Sequence, residues 1–211
     1  MLKCKLRIET ECRDLEIEMK KSKKTLLFSG VIVMLMVAID QITKYLAVAF
    51  LKDKNPFPII KDVFELQYLE NRSAAFGMDP ISLLHKMFDF QVFNDNPELF
   101  LQTKMIFFVI LTIAAVLLFI FVFTRIPEKK KFVFMDIVFI SFTAGAIGNF
   151  IDRVVNQYVI DFLYFKLIDF PIFNVADIYV TVAAFAMVFL ILFFYKEKDL
   201  DEIKIFKSKE K

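Results

Sequence analysis

Long apolar runs, separated by short charged segments, set the pattern of this chain. The first runs from Thr25 to Phe50, roughly 25 residues where about 20 cross a bilayer. Asp40, Gln41 and Lys44 interrupt it. Met105 to Thr124 carries no charge at all. Phe132 to Ile151 is the third run, with Asp136 near enough to its end to snorkel, and Ile178 to Tyr195 is the fourth. The pattern predicts an all-α polytopic membrane protein with four transmembrane helices. A charged tail, residues 1–24, precedes a membrane domain spanning 25–195, and a second charged tail occupies 196–211.

Between the first two spans, residues 51–104 form a long mixed loop. Val63–Leu69 alternates, with Phe64, Leu66 and Tyr68 on one side, as a short strand does. Asp79-Pro80 reads as an N-cap and first helical position. Ile81, Leu83, Leu84, Met87 and Phe88 then give an apolar face suited to a helix lying in the membrane interface. Phe93–Glu98, rich in turn formers, ends that element. The other long loop is 152–173.

Composition and charge narrow the function classes. With 58% hydrophobic residues and 28 Phe, the chain takes lipid as its solvent. A net charge of +2 calls for no polyanionic partner, and no basic-aromatic array or Gly-rich phosphate loop is present, so no nucleic acid is expected. The basic residues count by position instead. Both tails and the Arg125–Lys131 turn are densely basic, whereas 152–173 holds only Arg153 and Lys166. The positive-inside rule therefore puts both termini in the cytoplasm and both long loops outside. Cys4 and Cys12 lie in the first tail without metal-ligand spacing and imply neither a disulfide framework nor a zinc site. His85 is the only histidine, which leaves no His-based metal centre or Ser-His triad. No metal and no cofactor are expected.

The first span resembles a signal peptide, since KKSKK precedes it and Ala47-Val48-Ala49 imitates a cleavage site. Asp40, Gln41 and Lys44 break the stretch before that point, and three further spans follow, so it is read as a retained helix. Met19 before KKSKK is as natural a start as Met1.

The chemistry gathers between Ala144 and Asp177. Asp152, Asp161 and Asp177, with Asn149 and Asn174, stand where the chain leaves and re-enters the membrane, and carboxylates there are costly to hold. Two adjacent carboxyls cannot both ionise cheaply, so they share a proton, giving a base to activate water and an acid to protonate a leaving amine. Asp161 in its apolar setting and Asp177 at the head of the fourth span are the favoured pair. A structural reading stands beside this one. Asn174 and Asp177 also form a helix cap with an acid in the first turn. Asp152-Arg153 also reads as an interfacial ion pair, and Asp40 and Lys44, at i and i+4, as a neutralised pair.

Four blocks, in order on a four-span frame, carry a resemblance: DQITK (Asp40–Lys44), ENRSAAFG (Glu70–Gly77), AGAIGNFIDRVVNQYVIDF (Ala144–Phe162) and FNVAD (Phe173–Asp177). Together they resemble the lipoprotein signal peptidases (signal peptidase II), bacterial membrane aspartic peptidases of the cytoplasmic membrane. The resemblance implies Asp161 and Asp177 as the catalytic dyad, with Asp40, Asn71, Asn149, Asp152, Arg153 and Asn174 lining or bracing the site. It also implies a small extracytoplasmic β-sheet and a surface helix over the site. The implied substrate is a diacylglyceryl-modified prolipoprotein, cut on the amino side of its lipidated lipobox cysteine. Arg153 and Asn71 are then expected to hold the substrate backbone, while Asp40, Asn149 and Asn174 fix local geometry.

The sequence departs from the family pattern at Ser73, Ala144 and Gln157, each replacing a glycine, and in a longer 78–104 segment. At a left-handed position Gln157 is strained. Two other readings remain: an inactive relative that binds without cutting, and a carrier using carboxylates for protons or ions. The carrier favours charges at mid-bilayer, whereas these cluster at the outer ends. Membrane lipid is the surrounding partner, and a monomer is the expected state.

Overall fold

A computed structural model describes residues 21–73 and 80–203. The tail cysteines, Ala74–Gly77 and the Asp79 cap lie outside the described residues. Among the described residues, four helices are long and apolar enough to cross a membrane: Lys23–Leu51, Pro97–Arg125, Lys130–Asn156 and Val175–Phe194. At 1.5 Å per residue, even the shortest reaches about 30 Å, the thickness of a bilayer's hydrocarbon core.

Local chemistry explains the ends. Helix α1 (Lys23–Leu51) starts at Ser22, whose hydroxyl accepts from the Thr25 N–H. Strands β1 (Phe57–Ile60) and β2 (Phe64–Asn71) follow, then α2 (Pro80–Phe88) and a one-turn α3 (Gln91–Asp95). Helix α4 (Pro97–Arg125) begins well before the expected Met105. Asn96 caps it by accepting from the Leu99 N–H, and Pro97 sits in its first turn, where a missing N–H costs nothing. The polar run read as the end of one element is thus also the start of the next.

Helix α5 (Val133–Asn156) likewise outruns its expected end at Ile151. It stops where Gln157 takes a left-handed conformation (φ 61°) and donates its N–H to the Arg153 carbonyl. Asp152 and Arg153 therefore ride on the last turn of a helix and not in a loop. Strand β3 (Val159–Tyr164) leads back to α6 (Val175–Phe189), which is prolonged by a π-turn (Leu190–Phe194) and followed by α7 (Glu197–Asp201).

α5 is the central helix, packed against α1, α4 and α6. Half of its most apolar window is buried, against 11–17% for the other three spans, whose remaining apolar surface is left for lipid. At the end of the bundle away from the sheet, Ile126, Phe132, Phe139, Phe142 and Tyr195 form the core. Asp136 meets Lys21 there in an ion pair. Ala144 is fully buried, so a small residue is what its place in the packing requires.

The strands form one antiparallel sheet in the order β1-β2-β3. Helix α2 leaves Leu83, Leu84, Met87 and Phe88 exposed, the apolar face expected of an interfacial helix. His85 packs among aromatic rings, with Phe93 edge-on at 5.6 Å and Phe100 tilted at 5.1 Å between centroids.

Candidate active site

Backbone pairing brings two parts of the chain together. β3 places Asp161 opposite Leu69 of β2, with Asn71 two residues further along the same face. After β3 the chain turns through Lys166–Ile168 and returns to pair Phe173 with Leu163. The next residue, Asn174, caps α6, and its amide reaches back to the strand.

The side chains then interlock. Asn174 donates from Nδ2 to Asp161 Oδ1 at 2.6 Å, and Asn71 Nδ2 donates to Asp161 Oδ2 at 2.8 Å. Asn71 is itself aimed by its Oδ1, which accepts the Ser73 N–H at 2.8 Å. Asp177 Oδ1 accepts from Asn149 Nδ2 at 2.8 Å, and its Oδ2 accepts the Asn174 N–H at 3.2 Å. The last bond completes a capping box with the Asn174 side chain, which accepts from Asp177 N–H. The helix-cap reading of Asp177 is thus correct. It coexists with the site, because the cap uses one carboxyl oxygen and the other is turned to Asn149.

Asp161, Asp177, Asn71, Asn149 and Arg153 line the polar end of a cavity of about 540 Å³, and Leu111, Ala115 and Phe119 of α4 with Val180 of α6 line its apolar flank. Volume and lining suit a ligand with a long apolar part and a small reactive polar part. Burial pushes the Asp161 carboxyl up to about 7, and the negative charge of Asp177 pushes the same way. The amides of Asn71 and Asn174 and the charge of Lys44 pull against them. Arg153 stacks over Phe108, 5.3 Å from its centroid, and its Nη2 lies 3.4 Å from the Ser73 carbonyl.

Asp40 and Asp152 lie behind the cavity wall, almost fully buried. Asp152 does not pair with Arg153. Its partner is Lys44, at 3.0 Å, and Lys44 also meets Asp40 at 2.9 Å, the neutralised i, i+4 pair expected from sequence. The Gln41 amide lies between the same two carboxylates, 3.1 Å from Asp40 Oδ2 and 3.2 Å from Asp152 Oδ1. The structure thus brings all eight sequence-predicted residues into one neighbourhood and adds Lys44 and Gln41. The signal for that pair was a cation and an amide within four residues of Asp40 on an otherwise apolar span. Gly148 makes room for the cluster, since a Cβ there would fall 2.5 Å from Asp40 Oδ2.

Comparison with known proteins bears on the chain's family and fold. The family model described as Signal peptidase (SPase) II matches residues 32–194. A lipoprotein signal peptidase of Caldanaerobacter subterraneus subsp. tengcongensis is 37% identical over 164 residues, covering 77% of this chain and 94% of that one. One from Clostridium tetani is 34% identical over 179 residues, covering 83% and 97%. A bacterial membrane enzyme solved by the in meso method at 2.3 Å superposes with a TM-score of 0.62 at 27% identity, covering 91% of this chain and 97% of its own. Matched along most of its length in both sequence and fold, the chain belongs to the signal peptidase II family, the aspartic peptidases that remove signal peptides from bacterial prolipoproteins.

Proposed function

We propose that Asp161 and Asp177 are the catalytic dyad, and that the chain cuts diacylglyceryl-modified prolipoproteins on the amino side of the lipidated cysteine. The observation that carries this reading is a single one. Two carboxyls from separate elements face one cavity at the sheet end of a membrane bundle, and the charge of one raises the proton affinity of the other.

One carboxylate takes a proton from a water that attacks the scissile carbonyl. The protonated partner donates a hydrogen bond to the developing oxyanion and then gives its proton to the leaving amine. With the Asp161 carboxyl pushed up to about 7, a protonated acid is on hand around neutral pH. Arg153 and Asn71, both on the cavity wall, hold the substrate backbone. Asn149 and Asn174 fix the orientation of the two carboxyls through the bonds described above. The substrate's acyl chains enter from the bilayer along the apolar flank, and burial of about 0.8 kcal/mol per methylene concentrates the cysteine at the depth of the dyad.

The density of Lys and Arg in both tails and in the Arg125–Lys131 turn supports cytoplasmic termini and an outward-facing site in the cytoplasmic membrane. The test is cleavage of a diacylglyceryl-lipobox peptide in micelles. Asp161→Asn and Asp177→Asn are expected to remain folded in the membrane and leave the peptide uncut. Normal processing by either variant rules out the dyad.

A further inference from the structure

Lys44 donates to three acceptors, and each leads to the dyad by a different path. We propose that Lys44 is a positioning residue of the peptidase, a buried ammonium that sets both catalytic carboxyls without touching substrate. The inference rests on the reading of Asp161 and Asp177 as the dyad.

Lys44 is 1% exposed and is not part of the cavity wall. Its Nζ lies 2.9 Å from Asp40 Oδ2, 3.0 Å from Asp152 Oδ2 and 2.9 Å from Asn149 Oδ1, one acceptor for each ammonium hydrogen. Asp40 uses its other oxygen to accept the backbone N–H of Ala176 at 2.9 Å. Asp152 accepts the backbone N–H of Ile160 at 3.1 Å. Ala176 immediately precedes Asp177, and Ile160 immediately precedes Asp161. Asn149 passes the third contact directly to Asp177 Oδ1 at 2.8 Å. One cation thus ties α1 and α5 to the peptide unit ahead of each dyad member.

Its charge has a separate effect. At Asp161, Lys44 favours the ionised form against burial and the charge of Asp177. The charged groups around Asp161 are Asp40 and Lys44 from α1, Asp152 and Arg153 from α5 and its partner Asp177 from α6, while β2 contributes the Asn71 amide. Without Lys44, Asp40 and Asp152 face each other as buried carboxylates with no cation between them, and their grip on the two peptide N–H groups slackens.

The test uses the full-length enzyme in micelles with the diacylglyceryl-lipobox peptide. Lys44→Met is expected to lower kcat about a hundredfold, as a misplacement of about an ångström does. KM should stay within about twofold, because Lys44 makes no substrate contact, and the alkaline limb of kcat/KM should move to higher pH. Lys44→Arg keeps the charge but replaces three donors on one nitrogen by a planar fork, so kcat falls while the limb stays in place. Wild-type kcat and an unmoved limb in a folded Lys44→Met enzyme overturn the proposal, as does a loss confined to KM. If Lys44→Met does not accumulate as folded protein, Lys44→Met/Asp152→Asn takes its place: it restores the cluster's net charge of one negative, so kcat is expected to fall while the limb stays in place, and wild-type kcat in the folded double variant overturns the proposal. Failure of both to fold makes Lys44 a folding residue and also overturns the positioning role. Asp161→Asn runs alongside: if it cleaves normally, the dyad reading has failed, whatever the Lys44 variants do.

Discussion

Replacing Asn71 by alanine removes one of the two side-chain donors that stabilise ionised Asp161, the bond from Nδ2 at 2.8 Å. The sign of the effect follows from which form the bond favours. An amide N–H facing a carboxylate favours the charged form, so its loss raises the proton affinity of a carboxyl that already titrates near 7. A hydrogen bond to a charged group contributes about 1.5–3 kcal/mol. Water entering from the cavity recovers part of that, which favours the low end. At 1.36 kcal/mol per pH unit, the proton shared by the dyad is then lost about one unit higher. The measurement is kcat/KM for the lipopeptide against pH, which reports the free enzyme. The alkaline limb is expected near pH 7 in the parent and near pH 8 in Asn71→Ala. The absolute rate also falls, because Asn71 lines the cavity, but the limb's position is read independently of its height. A limb that stays in place, or moves toward acid, refutes the assignment of Asp161 as the titrating member and the Asn71 bond as its control.

Asp161→Asn also tests the buried charge through stability. Because folding raises the carboxyl's pKa to about 7, the folded state binds its proton more tightly than the unfolded chain does, and stability declines as pH rises from about 4 through 7. The variant lacks this loss, so its Tm in detergent should gain on the parent between pH 5 and pH 8. Gly148→Ala should cost about 1–3 kcal/mol and much of the activity, since the added methyl meets Asp40 Oδ2 at 2.5 Å and Ala176 Cβ at 3.2 Å; thermal melting and peptide cleavage report the two effects. Gln157→Gly should relieve a left-handed backbone at φ 61° that costs a side-chain-bearing residue about 1 kcal/mol. Tm should then rise by about 2–4 °C, with cleavage of the lipopeptide unchanged.

Much of the frame was legible because lipid imposes an unusually plain code. An uninterrupted apolar run such as Met105–Thr124 has no other stable use, and the four spans follow. Asn174 and Asp177 were legible both as a cap and as chemistry, and both readings hold together in the geometry because one carboxyl serves each with a different oxygen. Helix ends were less legible. Asn96-Pro97 starts α4 and Gln157 ends α5, signals that local polarity hides. Strand β1, with Pro58 in its middle and every residue exposed, carries no alternation to find and exists only because β2 pairs with it. The ammonium of Lys44 was visible as half of an i, i+4 pair. Its bond to Asp152 was not, because nothing in local periodicity records which distant helix a buried charge will meet.

The cap at Asn174 has a temporal consequence. One oxygen of Asp177 closes the first turn of the final span, and the Asn174 side chain that organises that turn also orients Asp161. Neither aspartate is set in place until this helix has formed and docked against α5. On the proposed dyad, a nascent chain halted after three spans therefore carries no working protease.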